Sequence, residues 1–264
     1  MSELLEQLNS PAPEVRHAAL TAAVGTGELG VARVLAGRLA DAKFAEPERQ
    51  LAAEALAKCT LPEIAAMLLP ELASESAFTR TMAAMGLGGQ RGVGTVKALV
   101  LGLTDAVNTV RNWSERSLLG MLPAVQQHGI EALIGMLTHS VTLSRSPAAR
   151  ILGQTQDDRA LGPLIKMAKD DPEWLSRMGA IKALGDLGIS DATDLVAQTM
   201  QSDPKNRVRA AAAEAIGKLR PANAEALLRA VLNTDEDDGV QKMAGEALRS
   251  LGFDVTEIND DGWE

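Results

Sequence analysis

An arginine returns along this chain at a nearly constant interval, and that interval constrains the fold more than any other feature. Arg16, Arg49, Arg80, Arg111, Arg145, Arg177 and Arg209 follow one another at 33, 31, 31, 34, 32 and 32 residues, and Gln241 extends the series by 32 more. Two other columns keep the same register. Six residues before each marker stand Ser10, Lys43, Ser74, Asp105, His139, Asp171, Asp203 and Asp235, mostly types that can cap a helix. Seven residues after it stand Ala23, Leu56, Leu87, Leu118, Leu152, Leu184, Ile216 and Leu248, all aliphatic. A period of this length marks stacked units, each unable to bury its apolar face without its neighbours.

The stretch from Asp203 to Leu219, DPKNRVRAAAAEAIGKL, shows what one unit contains. An acid and a proline open a helix, and Val208, Ala212, Ala215, Ile216 and Leu219 then form one apolar stripe. A first helix precedes each such second helix, for instance 191 to 201 before 205 to 217, giving about eight helix pairs. Hydrophobic residues are 46% of the chain but aromatics only 2%, so the core is made of thin aliphatic layers. Glycines at 153, 185, 188 and 217 are expected to end second helices in the left-handed conformation. Pro123 and Gly129 bracket an irregular connection, and the glycine-rich run at 86 to 94 reads as a loose turn. That run lacks the preceding strand and following Lys-Ser/Thr of a phosphate-binding loop.

The stretches DPKNRVRAAAAEAIG and, with departures, DPEWLSRMGAIKALG resemble HEAT repeats of the short bacterial type. The resemblance implies an all-α fold, a right-handed α-solenoid of the armadillo/HEAT kind, with second helices lining a concave face. It also implies a ladder in which each marker arginine meets an acid of the neighbouring repeat. Lys43, Ser74 and His139 depart from the acid at that position, so the ladder is broken or rebuilt there. The domain reading is one solenoid over residues 1–252 and an acidic tail or cap over 253–264, in which Phe253 and Val255 would cover the last repeat.

Composition and motifs narrow the function. A net charge of −9 disfavours nucleic acid, whose binding draws most of its affinity from clustered Lys and Arg. No apolar run approaches a membrane span, and MSELLEQLN has neither the basic start nor the apolar core of a leader, so a cytoplasmic location is expected. His17, His128 and His139 have no metal-ligand spacing, and the residues after them, Ala18, Gly129 and Ser140, are not the glutamates of iron-dependent HEAT-repeat hydroxylases. Neither a catalytic constellation nor a cofactor or metal site is expected. The single Cys59 reads as a small core residue.

What remains is a non-catalytic scaffold, adaptor or assembly factor that binds a partner protein or acidic peptide. Five residues after each marker, on the solvent side of the second helix, Arg116, Arg150 and Lys182 form a basic run in an acidic protein. Trp113 and Trp174 are candidate anchors, because Trp and Arg are enriched at interface hot spots. The resemblance extends to HEAT-like lyases of phycobilisome proteins, and a bilin lyase or chaperone-like subunit is the alternative. A tetrapyrrole pocket, however, asks for more aromatic walls than this chain has.

Overall fold

A computed structural model describes residues 3–255. The chain divides into two compact units, Met1–Ala132 and Leu133–Glu264. In the first, α1 (Glu3–Leu8), α3 (Leu29–Ala40), α5 (Glu63–Leu68) and α7 (Val93–Gly102) are first helices. Their second helices are α2 (Pro13–Ala22), α4 (Glu46–Leu56), α6 (Ala77–Gly86) and α8 (Asn108–Leu119), stacked in that order. The expected irregular connection is instead a further helix, α9 (Leu122–His128), packed on α7 and α8. Pro123 opens this helix rather than interrupting one, since it sits in the first turn of α9, where a missing N–H costs nothing.

The second unit repeats the plan. Its first helices are α10 (Ile130–Met136, where the unit boundary falls), α12 (Leu161–Asp170), α14 (Thr193–Ser202) and α16 (Ala224–Thr234). Its second helices are α11 (Arg145–Thr155), α13 (Trp174–Leu187), α15 (Asn206–Leu219) and α17 (Asp238–Ser250). Among the described residues there is no strand.

Glycine and alanine set the spacing of α11, α13, α15 and α17. A Cβ on Gly153 would lie 2.7 Å from Ala183 Cα, one on Gly185 2.8 Å from Ala215 Cβ, and one on Gly217 3.1 Å from Ala247 Cβ. The glycine eight residues after one marker thus meets the alanine six residues after the next. This overturns the expected role of these glycines, since all three lie inside helices. Only Gly188 ends its helix in the left-handed conformation, at φ +72; Gln156 and Arg220 do the same for α11 and α15. The glycine-rich run differs from expectation in the same way. Leu87–Gly89 is a tight 3-10 turn, a Cβ on Gly89 would fall 2.1 Å from the Cys59 carbonyl oxygen, and Gln90 Nε2 donates to that oxygen. Cys59 is buried.

The arginine column is a ladder. Arg80, Arg177 and Arg209 each hold a carboxylate of the next repeat through Nε and Nη2, at 2.7 to 3.1 Å: Asp105, Asp203 and Asp235. Their Nη1 donates back to the carbonyl six residues earlier, on Ser74, Asp171 and Asp203. One side chain therefore ties a helix start to its own loop and to the next repeat. Where the acid is missing, the ladder is rebuilt. Arg16 turns to Glu48 instead of Lys43, and Arg49 donates to the Leu39 carbonyl and Thr79. Arg111 keeps, among the described residues, only bonds near its own helix start, to Asp105, Ala106 and Asn108. Gln241 retains the backward bond, to the Asp235 carbonyl.

At the carboxyl end, Gly252 takes φ +90, Phe253 N–H donates to the Leu248 carbonyl, and Arg229 holds the Asp254 carbonyl. Phe253 and Val255 are half-buried. The rest of the acidic tail, 256–264, lies outside the described residues.

Candidate interaction surface

The repeat buries its stripe and leaves two regions of each second helix for other work. One is the exposed side five residues after the marker, where Arg116, Arg150 and Lys182 are all exposed. Met85, in the same column, is buried. Arg116 belongs to the first unit and lies 4.7 Å from the centre of the half-buried Trp113 ring, a cation–π contact.

Arg150 and Lys182 belong to the second unit, where the column continues into acids. Lys182 Nζ lies 3.3 Å from Glu214. Glu214 also pairs with Lys218, which reaches Asp186, and Asp186 accepts from Gln154. Burial pushes the Glu214 carboxyl up, but Lys218 and Lys182 more than offset it and hold it below the usual range. Burial likewise pushes Lys218 down, and Asp186 and Glu214 raise it above an ordinary lysine. This side of α13 and α15 is thus a charge-alternating mesh. The residues that make it so, Lys218 and Asp186, fall outside the column that sequence reasoning followed.

The other region is the amino-terminal edge of the second helices. Trp174 opens α13 and is half-buried. Two cations from the next helix start face its ring: Lys205 Nζ lies 5.4 Å from the centroid and the Arg207 guanidinium carbon 5.7 Å. The geometry follows from the ladder. Arg177 and Asp203 tie α13 to the loop before α15, and Asp203 accepts from the Lys205 N–H, which fixes that loop beside Trp174. Neither Lys205 nor Arg207 has a carboxylate partner among the described residues. Next in sequence to Trp174, Leu175 is 39% exposed, and Leu143, at the same register position one repeat earlier, is 52% exposed. A flat aromatic, two cations without a carboxylate partner among the described residues, and two open leucines therefore line one edge of the second unit. Sequence reasoning found Trp174 but missed Lys205 and Arg207, which read as ordinary residues of a helix start.

Stacked helix pairs joined by this ladder define a class, the all-α solenoid. HEAT repeats are found in this chain: the family model for HEAT repeats matches residues 130–217 and 193–258. Two solved structures with TM-scores above 0.5 show the same fold at low identity, and a third is similar at a lower score. The Escherichia coli protein YibA is 18% identical with a TM-score of 0.51, over 95% of this chain and 91% of that one. Kap95p, in its complex with RanGDP, is 13% identical with a TM-score of 0.60, over 94% of this chain and 39% of that one. The CpcE–CpcF complex of phycocyanin lyase from Nostoc is 21% identical with a TM-score of 0.44, over 94% of this chain and 93% of that one. A comparison with curated protein sequences finds no match. Among the described residues no helix is long and apolar enough to cross a membrane.

Proposed function

We propose that this chain is a non-catalytic interaction scaffold that holds an acidic segment of a partner protein. The observation that carries the reading is the edge at Trp174, where Lys205 and Arg207 flank an indole with no carboxylate partner among the described residues. Cations left unpaired in a protein of net charge −9 are available to a carboxylate from outside. An indole between them offers apolar area at little entropy cost, and Leu175 and Leu143 extend it. In this reading Arg150 and Lys182 supply further contacts along the second helices of the same unit, and Arg116 with Trp113 is a separate contact on the first unit. The alternating charges around Lys182 set register rather than bulk attraction.

The test is affinity capture from the native host by the wild-type chain and by the triple reversal Arg116→Glu, Arg150→Glu, Lys182→Glu, with helicity compared by circular dichroism. The expected outcome is capture of a partner with an acid-rich segment by the first and loss of it by the second. Equal capture by both would remove these three residues from the site.

A further inference from the structure

The second unit contains a cleft of about 570 Å³ between first helices α10 and α12, whose lining runs to Asp171 and Pro172 just before Trp174. Ile134, Leu137, Pro163, Met167 and Pro172 supply aliphatic walls. The volume falls in the range of small-molecule sites, which are concave, mainly apolar and marked by a few fixed polar groups. The charges around it balance: Arg145 is paired with Asp171, and Lys166 with Asp170.

Arg145 stands differently from the other ladder arginines. In Arg80, Arg177 and Arg209, Nε and Nη2 grip the carboxylate and Nη1 takes the carbonyl. In Arg145 the carbonyl of His139 is held by Nε, and Nη1 alone takes both oxygens of Asp171, at 2.9 and 3.0 Å. Nη2 is left with no hydrogen-bond partner among the described residues, on a side chain that lines the cleft. It is also not among the sealed polar atoms that lack partners.

Two glycines complete the case. Gly135, in the last turn of α10, and Gly162, in the first turn of α12, both line the cleft, and a Cβ on either would meet nothing within 4 Å. Neither has a positive φ. Alanine would fit and, by restricting the unfolded chain, would stabilise. Unlike Gly153 and Gly185, these two are required by no neighbouring helix.

We infer that the α10–α12 cleft is a binding site for a small, uncharged, mainly aliphatic molecule carrying a carbonyl or amide oxygen, which accepts from Arg145 Nη2. Balanced lining charges favour a neutral ligand over an ionic one, since burying an unpaired charge is costly. The glycines keep room for the aliphatic body.

Isothermal titration calorimetry of the full chain with octanamide, and with octanoate as the ionised match, tests this. Octanamide is expected to bind with a Kd in the low millimolar range or tighter, on the order of the affinity a ligand of that size reaches, and about tenfold tighter than octanoate. Gly162→Leu fills the cleft from a helix first turn and is expected to weaken octanamide at least about tenfold with unchanged helicity. In the milder pair Gly135→Ala and Gly162→Ala, melting temperature should rise while octanamide affinity falls. Absence of octanamide binding at its solubility limit, octanoate binding as tightly, or binding unaffected by Gly162→Leu would each overturn the assignment.

Discussion

Asp203 shows how much one side chain does here. Its carboxylate takes two bonds from Arg177 and one from the Lys205 N–H, while its carbonyl takes Arg209. Asp203→Ala is expected to cost about 2 to 3 kcal/mol in urea denaturation, because it strands a mostly buried guanidinium. Asp203→Asn, which keeps the shape and an acceptor for the cap, should cost less. The ladder also gives the protein an acid limb. Burial pushes Asp203 and Asp105 up, but the Arg177 and Arg80 guanidinium groups and backbone N–H bonds more than offset it. Arg209 holds Asp235 down, and Arg16 holds Glu48 down, against a smaller opposing push from burial. Every one of these folded-state values is lowered, so the native state binds fewer protons than the unfolded chain. Their stabilisation is present in full above about pH 4 to 5 and is lost as pH falls through the lowered values. Denaturation midpoints measured from pH 6 to 2 should drop below about pH 4, and the drop should be shallower in Asp203→Asn.

At the scale of the helix, spacing between second helices rests on absent side chains. Gly185→Ala adds a methyl 2.8 Å from Ala215 Cβ and 2.9 Å from its Cα, so a backbone must move. Helix propensity alone would make that change stabilising by about 1 kcal/mol. The contact should reverse the sign, to a loss of about 1 to 3 kcal/mol in thermal or urea unfolding. Periodicity made the helix pairs legible, because an apolar stripe at three- and four-residue steps needs no tertiary information. The role of Gly153, Gly185 and Gly217 was not legible, since a glycine near a helix end reads the same whether it terminates the helix or admits a neighbour. Likewise Pro123 marks a helix start as readily as a break, and α9 was missed for that reason.

At the scale of the molecule, what sequence could supply was the repeat and its ladder. The candidate surface was only half visible. Arg116, Arg150 and Lys182 could be placed on an exposed face from register alone, and all three are exposed. Their partners could not, since Glu214 meets Lys182 from a different repeat, 32 residues on. Lys205 and Arg207 became candidates only once folding set them over Trp174, a contact between residues 31 and 33 apart. If that edge receives carboxylates, raising salt from 0.1 to 0.5 M should weaken partner binding about tenfold, since exposed charge pairs are screened over a Debye length of a few ångström. The most direct measurement is the affinity of the captured acidic segment, by isothermal titration calorimetry, for the wild-type chain and for the triple variant Trp174→Ala, Lys205→Glu, Arg207→Glu at matched helicity. A loss of about 100-fold or more is expected, as for removal of a central aromatic anchor with its flanking cations. An unchanged affinity would contradict the account.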